Sequence, residues 1–590
     1  MITENLRTAL LNIRKPDQSC TLWIDALCIN QGNMRERNHQ VSIMADIYRN
    51  ATRTIVWLGD SRPPYTEMAY GIVGELAAEA VSRQYVGTGT DSNYLSLPLM
   101  DVEHVESPLF DRLKDDYSVI HLACAGWWHR TWTVQEILLA SQAVVMTGTF
   151  TMDWDRFCRG VDYGLAIGIW NPVMLGIMVD PIVIPYLSMR AMRKHKRQIQ
   201  QSPSSLPSTT TPAQALLDIL IQCRFRQASD PRDKVYALLG MLQDVHLTDP
   251  ASTLGIAPDY SLTTTQVYLH TARQLLLHSP NLDLLGASTP SPTATVPSLP
   301  SWVPDWSTTT PLPRPLMHDA RGAPRLTHAA LHLPLSPTAT SGSTTTLLLS
   351  GHPLTTITSL SPILHRLQRD SANVTLIKTG DTLLTRLASL GALFTGLLHI
   401  YAELSAVVPH LATFRDWETF ARSSPTPPRQ TPSSSSSGEA YDPLAVYWQT
   451  LSTGTLAPGP GGAATTAQLF YRWRASLSAI FRLRKWKADS FLRPLAFVGY
   501  LMRTWDGYSR FACLLEGVYE RRLGRGDGGI LVLLPGGART GDRVVVVRGG
   551  RVPLVVRDAP GGGGNGGLVF VGLGGMSDLM MSLLQVITFA

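Results

Sequence analysis

TLWIDALCINQGNMRERNHQVSIMADIYRNATRTIVWLGD, from Thr21 to Asp60, reads as one strand-helix-strand unit, and the fold class follows from it. Leu22, Trp23 and Ile24 form a short apolar run, and the stretch from Ala51 to Leu58 brings β-branched Thr52, Thr54, Ile55 and Val56 before Gly59. Both runs are expected to be strands. Between them Val41, Met44, Ala45 and Tyr48 recur at i, i+3, i+4 and i+7, while Glu36, Arg37, Asn38 and Arg49 occupy the other positions, the pattern of an amphipathic helix. Strands joined by one crossover helix run parallel, and a parallel sheet is covered by helices, so the expectation is an α/β layer fold. Asp25 and Asn30 then fall at the carboxyl end of the first strand, where open α/β sheets bind ligands.

Outward from this unit, Leu6, Leu10 and Ile13 have helical spacing, and MITENLRTALLNIRK has the polar content of no secretory signal. Met68, Ile72, Leu76 and Ala80 predict a packing helix over 67–83, and 84–101 reads as a surface loop. The chain is expected to be helical over 117–140 and extended over 143–147, which completes the α/β region near residue 150. Within WTVQE, Trp132 and Glu136 lie four residues apart and project from one helix face, one turn from each other. A tryptophan packing in the core beside a surface glutamate is the structural alternative, and Arg130, Thr133 and Gln135 are open to the same reading.

The wording WIDALCINQ followed by ER, QV, IY and WLG resembles the fungal heterokaryon incompatibility (HET) domain. RTWTVQEILLA (130–140), DPRDKVYALLG (230–240), PDYS (258–261) and PSWVPDWS (300–307) resemble further segments of that family in the same order. Family members carry an earlier strand with a Tyr-x-Ala-Leu-Ser-Tyr-x-Trp-Gly pattern, which this sequence lacks, so the sheet is expected to be without its first strand and to have an unpaired edge. HET domains in turn resemble Toll/interleukin-1 receptor (TIR) domains, some of which cleave NAD with the glutamate of a Trp-x-x-x-Glu helix. The resemblance thus implies a TIR-like parallel-sheet domain with Glu136 as the key carboxylate, Trp132 beside it, and Asp25 and Asn30 lining the nucleotide cleft. It implies non-self recognition at cell fusion ending in programmed cell death, with NAD as a substrate and no resident cofactor. The alternative is a non-catalytic module that signals by self-association or protein partners.

Composition narrows the function classes. The 590 residues leave room for several domains, and a net charge of +6 with 44% hydrophobic residues describes a globular protein with no demand for nucleic acid. Its basic runs, RAMRKHKRQ (190–198) and RLRKWK (482–487), are scattered and follow no nucleic-acid motif; the first reads as a solvated helix end and the second as cationic side chains that keep a helix face wet. Six cysteines without a CxxC pair read as free thiols of an intracellular, cytoplasmic protein; Cys28 is expected to be buried, and no metal-ligand spacing occurs. The uncharged stretch 163–179 is interrupted by Asn171 and Pro172 and falls short of the ~20 apolar residues of a membrane span, so a buried or partner-facing helix pair is expected over 161–189.

The order of regions follows from these shifts: the HET-like domain (1–150), a helical region (151–285), a low-complexity segment with the PSWVPDWS island (286–350), a helical region (351–422), a disordered linker (423–466), a basic helical segment (467–510) and a β-rich module (511–590). In DPRDKVYALLG, Asp230 is expected to cap a helix starting at Pro231, with Asp233 facing the free N–H groups of the first turn. Val544–Val547 and Val552–Val556 around Gly549 and Gly550 predict a hairpin, as in the small terminal module of HET proteins, although the family's later Met-x-Gly-Glu segment has no counterpart. The glycine run 561–567 lacks phosphate-loop spacing and reads as a flexible loop.

Overall fold

The computed structural model describes residues 2–85, 107–113, 118–123, 125–167, 169, 186, 188–190, 192–193, 211–242, 254–288, 296, 299–308, 346–365, 412–423, 442–452, 462–485, 518–559 and 568–573. They divide into a first unit, 1–279 with 293–310, and a second unit, 280–292 with 311–590.

In the first unit α1 (Glu4–Ile13) is capped by Thr3, and a single helical turn α2 (Asp25–Cys28) precedes α3 (Met34–Asn50). Asn33 caps α3 by accepting from Glu36 N at 3.1 Å, while Glu36 reaches back to Asn30 N at 2.9 Å. Val41, Met44 and Ala45 are buried as the spacing predicts. The predicted strand at Leu22–Ile24 does not form. Ile24 is extended, but its carbonyl accepts from Leu27 N at 3.0 Å and Cys28 N at 2.8 Å, so the helical turn takes the acceptor a ladder would use.

The second predicted strand is β1 (Thr54–Trp57), and Gly59 at φ +116° ends it in a conformation that an L side chain resists. Then come α4 (Tyr65–Ser82), the short helices α5 (Pro108–Leu113) and α6 (Ile120–Ala123), α7 (Trp132–Leu139), β2 (Ala143–Thr147), β3 (Phe150–Asp153) and α8 (Trp154–Ala166). The sheet runs β1-β2-β3, with β1 and β2 parallel (Thr54 opposite Ala143) and β2 and β3 antiparallel. It is a mixed sheet of three strands, not the parallel one expected, because β3 follows β2 through a tight turn at Gly148 that only reverses the chain.

Ile72, Leu76 and Ala80 are buried as the spacing predicts, Met68 is exposed, and α4 buries Ala69 and Val73 as well. It crosses α8 so closely that a Cβ on Gly160 would lie 2.2 Å from Val73 O. The continuous helix expected over 117–140 is interrupted by a 3-10 turn, Gly126–His129. Trp128 buries fully there, its Nε1 donating to Leu122 O at 2.8 Å, and Thr131 N donates to Gln227 O at 2.9 Å, tying this segment to a distant one.

Helices α9 (Pro212–Cys223), α10 (Asp233–Leu239) and α11 (Thr264–Leu277) complete the first unit. α11 opens on a capping box of Thr263 and Gln266. The PSWVPDWS island buries Trp302, Val303 and Trp306, and Arg224 donates to Asp305 O at 2.7 Å. The basic run after residue 189 is not the solvated end expected as far as it is described. Arg190 pairs with Asp162 at 2.6 Å, and Arg193 is buried with its guanidinium on the last carbonyls of α7, Ile137 O and Ala140 O. Cys28 is exposed, contrary to the burial expected, because the α2 turn that carries it buries none of its four residues; Cys20, Cys158 and Cys223 are likewise free thiols.

The second unit centres on β4 (Gly351–Leu360), a strand inside the region read as helical, where Thr355, Thr356, Ile357 and Thr358 supply the β-branched residues that favour it. Helices α12 (412–422), α13 (Pro443–Ser452) and α14 (Gly462–Lys485) follow. α13 lies inside the stretch read as a disordered linker, and its VYW run buries Val446, Tyr447 and Trp448. The strands β5 (Arg521–Gly526), β6 (Leu531–Pro535), β7 (Arg543–Val547), β8 (Leu554–Asp558) and β9 (Leu568–Leu573) build an antiparallel sheet in the order β6-β5-β4-β7-β8-β9. The predicted hairpin is β7-β8, and Ile357, Val532, Leu534, Val544, Val555 and Val571 form the core.

The loop at 86–101, most of the helix pair at 161–189, the Ser/Thr/Pro runs at 202–210 and 309–345, residues 366–411, Trp486 and Lys487 of the second basic run, and the glycine run 561–567 lie outside the described residues. Among the described residues no helix is long and apolar enough to cross a membrane.

Candidate functional site

The helix α7 is short, and each of its polar side chains has a definite direction. Thr133 turns back onto its own N-terminus, its hydroxyl donating to Arg130 O at 2.7 Å and Trp127 O at 3.1 Å. Gln135 is buried; with its amide oriented to satisfy both ends, it donates to Ala237 O at 3.0 Å on α10 and accepts from Ala45 N at 2.8 Å on α3. Both residues therefore fix the helix in place.

Trp132 points the same way. Its Nε1 donates to Asp233 Oδ2 at 3.0 Å, and Asp233 also accepts from the Tyr260 hydroxyl. Arg37 lies over the Tyr260 ring, 3.5 Å from its centroid, and pairs with Asp230 at 3.2 Å. Arg232 grips the same Asp230 through Nε at 2.9 Å and Nη2 at 2.8 Å and donates to Tyr260 O and Leu262 O. The segments RERN, WTVQE, DPRDK and PDYS thus meet in one polar network.

That network corrects the expected helix cap. α10 starts at Asp233, and Asp230 holds Arg232 through backbone and side chain instead of capping. Asp233 serves side chains from two other segments, not the N–H groups of its own first turn. Burial raises its carboxyl above the usual range, against the hydrogen bonds from Tyr260 and Trp132.

Glu136 has different neighbours. The indole that reaches it is not that of Trp132 but that of Trp127, whose Nε1 donates to Glu136 Oε2 at 3.1 Å. Trp127 is buried, edge-on to Trp128 with centroids 5.0 Å apart and to Trp154 at 6.4 Å. Glu136 is half-buried. Burial raises its carboxyl above the ordinary range, the charge of Arg130 and the Trp127 hydrogen bond oppose that, and the charge of Asp25 adds to it.

The same charges act on Tyr48. Burial and the nearby carboxylates of Glu136 and Asp25 hold its phenol well above its ordinary value, with Arg130 opposing. Its ring meets Trp23 edge-on at 5.6 Å. The structure therefore brings Asp25 and Glu136 into one electrostatic neighbourhood with Tyr48 and Arg130, lined by Trp127.

Asn30 is engaged within its own loop. Its side-chain oxygen accepts from Gly32 N at 3.1 Å and shapes the loop between α2 and α3, and the residue is exposed. Sequence reasoning missed Trp127, Arg130 and Tyr48 as neighbours of Glu136. Tyr48 was on the apolar stripe, one turn beyond Met44, and Trp127 precedes Glu136 by nine residues, a spacing no helical rule connects. Among the described residues no group of side chains is arranged to hold a metal ion. Chemically, the cluster offers two carboxylates for hydroxyl groups and one exposed guanidinium for an anion.

Residues 1–136 match the family model described as Heterokaryon incompatibility protein (HET). The chain is similar to heterokaryon incompatibility protein 6, OR allele, of Neurospora crassa, at 27% identity over 338 residues, which is 52% of this chain and 48% of that protein. It thus spans about half the length of this curated relative. No solved structure matches the chain.

Proposed function

Because this chain carries a HET domain over residues 1–136 and resembles a fungal incompatibility protein, we propose that it acts in fungal non-self recognition and drives cell death by hydrolysing NAD at Glu136. The observation that carries the enzymatic part is the half-buried Glu136, held at one oxygen by Trp127 and sharing its surroundings with Asp25, Tyr48 and Arg130.

The reaction makes modest demands. Nicotinamide leaves with the electron pair of the ribosyl C–N bond, the ribose takes on oxocarbenium character, and water adds to give ADP-ribose and a proton. A carboxylate beside the ribose binds its hydroxyls and stabilises the developing positive charge, and the leaving group needs no acid. Glu136 fills that role in this reading, Asp25 supplies a second hydroxyl acceptor, and Arg130 attracts the pyrophosphate. The TIR resemblance of HET domains supports the same assignment.

A second reading is a non-catalytic signalling module. It is favoured by the polar network around Trp132, Asp233 and Gln135, which accounts for much of WTVQE by structure alone.

The deciding experiment is induced expression of this chain and of Glu136→Ala in a fungal host, with cellular NAD and viability followed together. Loss of NAD and viability with Glu136 alone supports hydrolysis. Equal killing by both at constant NAD overturns it in favour of the signalling module.

A further inference from the structure

The contact between Trp127 and Glu136 has a geometry that a packing role leaves unexplained. The indole ring is immobilised by burial against Trp128 and Trp154. Its backbone is fixed as well, because Trp127 O accepts from Thr133 Oγ1 at 3.1 Å and from Arg130 N at 3.3 Å. Thr133 stands in the first turn of the helix that carries Glu136, so donor and carboxylate belong to one frame. Only Oε2 is engaged: among the described residues Oε1 accepts from no donor, yet it is not enclosed.

We propose that Trp127 is the positioning residue of Glu136: its indole N–H fixes Oε2, sets the carboxylate rotamer and leaves Oε1 directed outward to accept a ligand hydroxyl. The consequence for catalysis rests on the NAD-hydrolysis reading, whereas the positioning itself does not. The charged and titratable groups facing Glu136 are Arg130 at the start of its own helix, Asp25 on α2 and Tyr48 on α3. Arg130 and Trp127 favour the ionised carboxylate, and Asp25 opposes it. Removing the indole donor therefore makes Glu136 easier to protonate.

The test uses the full chain with 15N-labelled indoles, whose fourteen tryptophans give a countable set of N–H resonances. One resonance is expected to titrate with Glu136 in the wild type, to stop titrating in Glu136→Gln and to be absent from Trp127→Phe. If no indole resonance titrates in a Glu136-dependent way, the proposal is overturned, and wild type and Glu136→Gln alone decide this even if Trp127→Phe does not fold. In NAD cleavage, Trp127→Phe is expected to lower kcat roughly tenfold or more with KM little changed, and to move the acid limb of the rate profile to higher pH. A variant that only loses thermal stability, with kcat and the acid limb unmoved, also overturns it. A wild-type chain that leaves NAD intact but shows the Glu136-dependent titration removes the hydrolase reading and keeps the positioning role.

Discussion

Glu136 is held in a state that folding alone would not choose. Its carboxyl titrates above the range of the unfolded chain, chiefly through burial, so the ionised form is disfavoured in the folded protein. The destabilisation is complete above the folded-state pKa, declines as pH falls through it and vanishes below the ordinary glutamate value. Glu136→Gln keeps an acceptor for the Trp127 indole and removes the charge. It is expected to raise the unfolding temperature of the first unit at pH 7 to 8 by roughly 2–4 °C, about 1 kcal/mol, with the gain shrinking toward pH 4.5. Thermal unfolding of both proteins across that range checks it. A variant less stable than wild type at pH 8 would make Glu136 a structural residue.

At the scale of elements, α7 is held from several sides: Trp132 to Asp233, Gln135 to α3 and α10, and Arg193 on its final carbonyls. Trp132→Phe keeps most of the ring packing and leaves Asp233 one donor short. It is expected to lower stability by about 1–3 kcal/mol, and a double-mutant cycle with Asp233→Asn should return a coupling of about 1 kcal/mol or more, measured by urea unfolding. Additive effects would mean that the hydrogen bond contributes nothing. This division of roles within WTVQE was only half legible in the sequence. Helical spacing placed Trp132 and Glu136 on one helix, and the apolar stripe of α3 and the β7-β8 hairpin were equally plain. What periodicity cannot report is which distant partner a side chain meets: Trp127 is fixed by tertiary packing of three tryptophans, and Asp233 by Trp132, 101 residues away, and Tyr260, 27 residues away. The run at Leu22–Ile24 misled for a related reason, since a strand exists only when a neighbour completes its ladder. β4 and α13 were hidden because their surroundings are dominated by Ser, Thr and Pro, and composition over a window dilutes a ten-residue element.

For the molecule as a whole, the order of the chain matters as much as its two units. It leaves the first unit after residue 279, contributes 280–292 to the second, returns for 293–310 and then departs for good. The returning segment carries Trp302, Val303 and Trp306, all buried in the first unit. A fragment of residues 1–279 is therefore expected to be less stable than one of 1–310 by about 5 kcal/mol, at ~1.5–3 kcal/mol for each large apolar side chain removed from water. Urea midpoints for the two fragments check this, and equal midpoints would show that the island adds nothing to the core.

The same path constrains inheritance. A crossover between two alleles at residue 279 would give the first unit a foreign tryptophan island, and one at residue 310 would give the second unit a foreign 280–292 segment. Each of these breakpoints keeps one unit whole and splits the other, and no single breakpoint keeps both whole, so variants of the two units are expected to pass from parent to offspring as matched sets.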